Sequence, residues 1–181
     1  ELRENGVKAF PFNEIKLLFL ANRMNYRNHR KIVIIDGQTS FVGGINVSDK
    51  YINNNSEKLY WRDTHLMING TATYLLQRIF LLDWNFCSEE NIGVNASLFP
   101  KISLDNKKVP VQIIADGPDS DAPYILYSTI KAITLAEKEV LITTPYYIPD
   151  ESLQQTLKLT AMGGIDVKLL VPFKGDSRIV N

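Results

Sequence analysis

The 181 residues contain one cysteine and two histidines. The lone thiol, Cys87, excludes an intrachain disulfide and fits a reducing compartment. Following the aromatic run of Trp84 and Phe86, it is expected to be a buried thiol and not a nucleophile. Two histidines and one cysteine without ligand spacing form no metal-binding cluster, so neither a metal nor another cofactor is expected. Net charge is also missing: 20 basic residues balance 20 acidic ones, and global charge by itself favours no class of partner. No apolar run approaches the ~18 residues needed to span a membrane, and Glu1 to Gly6 is unlike a signal peptide. What remains, 45% hydrophobic and 22% charged residues, is the composition of a soluble α/β protein with material for a core.

The chain opens on a helix end stopped by Gly6 and a strand over Val7 to Phe12, an opening expected of a piece of a longer protein. Between Asn13 and Asn28, Leu17 to Ala21 forms an apolar pad beside Arg23, Arg27 and Arg30; it is either a buried packing segment with a basic rim or a rest for an anionic bilayer. Lys31 to Asp36 has apolar residues on both faces, the pattern of a strand covered on two sides. Asp36-Gly37 marks a turn, Thr39 to Val42 a partner strand, and Trp61 to Ile68 a third. From Gly70 to Phe86 the spacing of Ala72, Leu75, Leu76, Ile79 and Phe86 predicts a helix.

From Cys87 to Lys108 periodicity gives way to Asn, Ser, Gly, Pro and charge, which sets a boundary between residues 1–105 and 106–181. Beyond it, a strand over Val111 to Ala115, a helix capped by Asp121, a strand over Val140 to Thr144, a helix capped by Asp150 and a strand over Val167 to Val171 predict a parallel sheet with helices on its faces. Asn5-Gly6-Val7-Lys8 and Gly164-Ile165-Asp166-Val167-Lys168 are matching helix-stop-then-strand junctions, as two related halves would show.

The chemistry gathers at Asn28-His29-Arg30-Lys31 and at Gly43-Gly44-Ile45-Asn46. Alternation along a strand sends His29 and Lys31 to one side and Asp36 to the other. A neutral imidazole can attack phosphorus to give a phosphoramidate. Lys31 and Asn46 can hold the non-bridging oxygens, with Gly43 and Gly44 admitting close approach of the backbone. The imidazole's second nitrogen needs a carboxylate to orient it, and Asp63, ahead of the following strand, is the best placed. His65, with no lysine two positions on, reads as a strand histidine near the site. A lone His-x-Lys-x4-Asp arises by chance in roughly one chain in a hundred of this length. Adding Gly-Gly-x-Asn at the right offset lowers that by several orders of magnitude.

His29-Arg30-Lys31 through Asp36, then Gly43 to Asn46, resembles the His-Lys-Asp signature of the phospholipase D superfamily. More narrowly, Asn25 to Gly37, Tyr60 to Leu66 and Thr144 to Asp150 are similar to bacterial cardiolipin synthases, so the resemblance runs nearly end to end. It implies an α/β fold: a mixed sheet flanked by helices, in two partial pseudo-repeated lobes. Residues 1–105 would be the C-terminal part of a first lobe, and 106–181 the N-terminal part of a second that lacks its motif. It implies metal-free transfer of a phosphatidyl group between two phosphatidylglycerol molecules, through a phosphohistidine, giving cardiolipin and glycerol. His29, Lys31 and Asp36 would be the catalytic signature, although parity sets Asp36 outward. Asn46, Gly43 and Gly44 would bind substrate, and Asp63 would orient the histidine.

Implied partners are phosphatidylglycerol and other phospholipids, and a membrane surface reached through a parent protein in the cell membrane. Family members carry two such motifs, the second histidine protonating the leaving group. The present chain holds half a site and is expected to be inactive alone. The alternative is another superfamily phosphodiesterase or nuclease completed as a homodimer; the even charge balance leans against a nucleic-acid substrate.

Overall fold

The computed structural model describes residues 1–12, 28–54, 60–88, 90–103, 109–117 and 119–173. The apolar pad from Leu17 to Ala21 lies outside them. The chain divides into two compact units, Glu1–Ile113 and Ile114–Asn181.

In the first unit β1 (Ile32–Ile35), β2 (Thr39–Gly43) and β3 (His65–Asn69) form an antiparallel sheet in the order β1-β2-β3. The hairpin between β1 and β2 turns on Asp36 and Gly37, both with positive φ (53° and 65°), a type I′ geometry matched to the twist of the strands. The Gln38 N–H closes it onto the Ile35 carbonyl at 3.1 Å. Gly37 is required there twice over, since a Cβ would also lie 2.5 Å from the Leu98 carbonyl oxygen.

α1 (Ala72–Cys87) packs across all three strands. Its inward face is Thr73, Leu76, Gln77 and Leu81. Leu75 and Phe86, expected inside from their spacing, stand out in solvent. Ser40 and Thr73 can occupy the interface because they satisfy each other: Ser40 Oγ and Thr73 Oγ1, both fully buried, are 3.0 Å apart, and Thr73 also reaches the Gln38 and Ile68 carbonyls. Val33 and Ile35 of β1 are each about half exposed, so among the described residues this two-sided apolar strand is covered on one face only.

Residues 7–12 form no strand. The segment leans on α1 instead, with the Phe10 ring edge-on to Trp84 at 5.1 Å and Lys8 paired with Glu90 at 2.8 Å. The hydrogen bonds from Lys8 and Trp84 hold the Glu90 carboxyl below its ordinary pKa.

In the second unit α2 (Tyr124–Thr134), β4 (Glu139–Thr143), α3 (Glu151–Met162) and β5 (Asp166–Leu170) follow in order, with β4 and β5 paired in parallel. The mixed α/β class is as the sequence predicts, with the antiparallel and parallel pairings in separate sheets. The predicted strand over Val111–Ala115 is absent. Asp116 from that segment accepts the Tyr124 and Ile125 N–H groups at 3.1 and 2.6 Å, taking the capping role expected of Asp121. Asp150 caps α3 as expected, accepting Leu153 N–H at 2.9 Å and Ser152 Oγ at 2.8 Å. The two junction glycines, Gly6 and Gly164, both adopt positive φ (83° and 92°) behind their helical turns. Among the described residues no helix is long and apolar enough to cross a membrane.

Candidate phosphoryl-transfer site

Antiparallel order decides which loops meet. β1 begins, β2 ends and β3 begins at one end of the sheet, with Ile32 opposite Val42 and Gly43 opposite His65. The segments carrying His29, Lys31, Gly43, Gly44, Asn46 and Asp63 therefore all enter or leave the sheet at that end. Asp36 sits in the hairpin at the other end, about 13 Å away at roughly 3.3 Å per residue from Ile32. It cannot share a ligand with His29. Its left-handed φ of 53°, a conformation that Asp tolerates, suits its place in the turn.

His29 is exposed and precedes β1, so strand parity does not govern its direction. Its position is set by a turn: Asn28 Oδ1 accepts the Arg30 N–H at 2.8 Å, an Asx-turn with His29 at its centre. Lys31 folds its ammonium back onto the His29 carbonyl at 2.7 Å. From α1, Asp83 receives Asn28 Nδ2 at 2.9 Å and the Arg30 guanidinium at 3.0 Å on each carboxylate oxygen. The imidazole thus projects from a backbone held on both flanks.

The diglycine also has a packing role. A Cβ on Gly44 would sit 2.2 Å from Asp63 Oδ1, and one on Gly43 would sit 2.4 Å from the Thr64 carbonyl oxygen and 2.6 Å from His65 Nδ1. The missing side chains make room for Asp63 and His65 on the neighbouring strand. Asp63 Oδ1 also takes the Thr64 N–H at 2.7 Å, which fixes the carboxylate beside Gly44. His65 Nδ1 is buried in that contact without a hydrogen-bond partner.

Asn46 donates its amide to the Tyr51 hydroxyl at 2.6 Å. Tyr51 meets Trp61 edge-on at 5.4 Å, and the Lys50 ammonium stands 4.1 Å from the centre of the Trp61 ring. Asn53 clamps the Trp61 backbone with two bonds of 2.7 Å. Neither Tyr51, which receives Asn46, nor Asp83, which receives Asn28 and Arg30, is among the residues singled out from the sequence. For Asp83 the signal was present: it is the sole acidic residue of a largely apolar helix. Among the described residues no group of three or more His, Cys, Asp or Glu side chains could hold a metal ion.

A histidine-lysine entry to one strand and a diglycine exit from its neighbour stand together in one α/β unit, the arrangement that the resemblance to phospholipase D-like proteins implies. The particular likeness is to bacterial cardiolipin synthases. The chain is 43% identical over 180 residues to the cardiolipin synthase of Geobacillus kaustophilus (strain HTA426), a match covering 99% of this chain and 36% of that protein. It is 44% identical over 180 residues to the cardiolipin synthase of Alkalihalophilus pseudofirmus, again over 99% of this chain and 36% of the relative. It is 44% identical over 181 residues to the major cardiolipin synthase ClsA of Bacillus subtilis (strain 168), covering 99% of this chain and 37% of that one. The chain spans about a third of the length of these curated relatives. No family model and no solved structure matches it.

Proposed function

We propose that this chain contributes half of a phosphatidyl-transfer site in a cardiolipin synthase, an enzyme that joins two phosphatidylglycerol molecules. The observation that carries the reading is the convergence of the His29, Lys31, Gly43-Gly44, Asn46 and Asp63 segments at one end of one sheet.

In this reading an imidazole nitrogen of His29 attacks the phosphorus of one phosphatidylglycerol. A P–N bond forms, the P–O bond to the headgroup breaks, and glycerol leaves with a proton supplied by a general acid. The hydroxyl of a second phosphatidylglycerol then attacks the phosphoramidate, giving its proton to the conjugate base that the general acid has become, as the P–N bond breaks and cardiolipin forms. Lys31 and Asn46 offset the charge that gathers on the non-bridging oxygens. Asp63 orients the imidazole so that the reacting nitrogen keeps its lone pair. The general acid belongs to a second histidine motif, supplied by a further part of the enzyme. Residues 1–105 are the later part of one lobe and 106–181 the beginning of the next, and the whole enzyme works at the membrane surface where its substrates reside.

The test uses the full-length protein with phosphatidylglycerol in mixed micelles. Cardiolipin and free glycerol should appear in equal amounts, without added metal. Hydrolysis to phosphatidic acid, or cleavage of an oligonucleotide in place of lipid transfer, would favour the phosphodiesterase alternative instead.

A further inference from the structure

We infer that Asp83 is a positioning residue for His29, acting through the two residues on either side of it; the inference rests on the reading of His29 given above. His29 lies ahead of the sheet, where no ladder hydrogen bond among the described residues fixes it. Leaving a residue unfixed spreads it over many conformers, and ordering it again for reaction costs free energy. The Asp83 carboxylate counters this from α1. One oxygen takes both Asn28 Nδ2 and the Arg30 guanidinium, and the other takes the guanidinium again. Asn28 is then free to spend its own oxygen on the Arg30 N–H, which closes the turn around His29. A single carboxylate thereby sets both flanks of the imidazole, and the pair is only about a quarter exposed, so solvent screens it less than a surface pair.

The helix that carries Asp83 is pinned to the sheet by the buried Ser40–Thr73 contact and by Leu76 and Leu81. The position of His29 is therefore referred to the same rigid sheet that carries Gly43, Gly44 and the strand after Asp63. A group held this way lowers the barrier of the chemical step without touching the substrate. Loss of Asp83 should act on kcat and leave KM alone.

The experiment measures kcat and KM for cardiolipin formation in full-length Asp83→Ala, Asp83→Asn, Asn28→Ala and Asp83→Ala/Asn28→Ala, with thermal melting of each. Expected are a fall in kcat of roughly tenfold to a hundredfold in Asp83→Ala, KM within twofold, and a double variant no worse than the poorer single one. Asp83→Asn keeps the shape and one acceptor, so it disturbs the packing of α1 least and should fall between wild type and Asp83→Ala. Unchanged kcat in Asp83→Asn and Asp83→Ala, a raised KM at constant kcat, or losses that multiply in the double variant would overturn the inference. Full activity in His29→Ala, run alongside, would overturn the reading beneath it and the inference with it.

Discussion

Replacing Gly44 with alanine puts a methyl group 2.2 Å from Asp63 Oδ1 and 2.8 Å from its Cγ and Oδ2. The carboxylate must retreat by roughly 1 Å to reach normal non-bonded separation, and its 2.7 Å bond from the Thr64 N–H is strained or lost. Since the obstacle is the end of a flexible, exposed side chain, the stability loss should stay near the value of one hydrogen bond, about 0.5–1.5 kcal/mol. The functional effect should be far larger, because a 1 Å displacement of an orienting group can slow a reaction roughly a hundredfold. Gly43→Ala is the internal control. There the new methyl meets backbone, the Thr64 carbonyl oxygen at 2.4 Å and His65 Cα at 2.8 Å. Neither can swing aside without parting β2 from β3, and overpacking of this kind costs about 1–3 kcal/mol. The assay pairs urea unfolding with cardiolipin formation by the full-length protein. The expected pattern is a stable but slow Gly44→Ala and a clearly destabilised Gly43→Ala. A Gly44→Ala protein of wild-type stability and wild-type rate would refute the assignment of Asp63 as the group behind His29.

Thr73→Val removes the hydroxyl that serves Ser40, Gln38 and Ile68 and strands a fully buried Ser40 Oγ. Urea unfolding should show a loss of about 1–3 kcal/mol, and a neutral result would mean that the pair does not hold α1 to the sheet. For Asp150, the hydrogen bond from the Leu153 backbone N–H, followed by that from Ser152, holds the carboxyl below its ordinary pKa. A depressed acid pKa stabilises the fold above the ordinary aspartate range and loses that contribution as pH falls through the lower folded value. NMR titration should find Asp150 ionising below ordinary aspartate, and α3 should fray at its first turn in Asp150→Ala at neutral pH. An ordinary titration midpoint would count against the cap.

Local signals carried much of this architecture. The Asp36-Gly37 hairpin, the Asp150 cap and the glycine stops at Gly6 and Gly164 each follow from the conformational preferences of one or two residues, and all four are present. What failed required knowledge of neighbours. Val7 to Phe12 and Val111 to Ala115 have strand composition, but a strand exists only when another edge accepts it, and in the described residues neither finds one. The inward face of α1 was misplaced at Leu75 and Phe86 because an apolar helix gives little contrast between its faces. At the site, strand parity does not govern His29, which an Asx-turn holds outside the strand. Gly43 and Gly44 were legible as a motif; their cause, the Asp63 and His65 side chains across the strand pair, is a tertiary fact that no spacing rule contains. Asp83 lies 53 residues from Arg30 along the chain, and only the packing of α1 on the sheet brings them together.

In the proposed reaction His29 stands at the reacting phosphorus. The most direct measurement is the rate of cardiolipin formation by full-length His29→Ala, purified beside wild type and matched to it by circular dichroism and melting temperature. A loss of at least roughly a thousandfold is expected, as for removal of a group that makes or breaks bonds. A folded His29→Ala protein that makes cardiolipin within tenfold of the wild-type rate would contradict it.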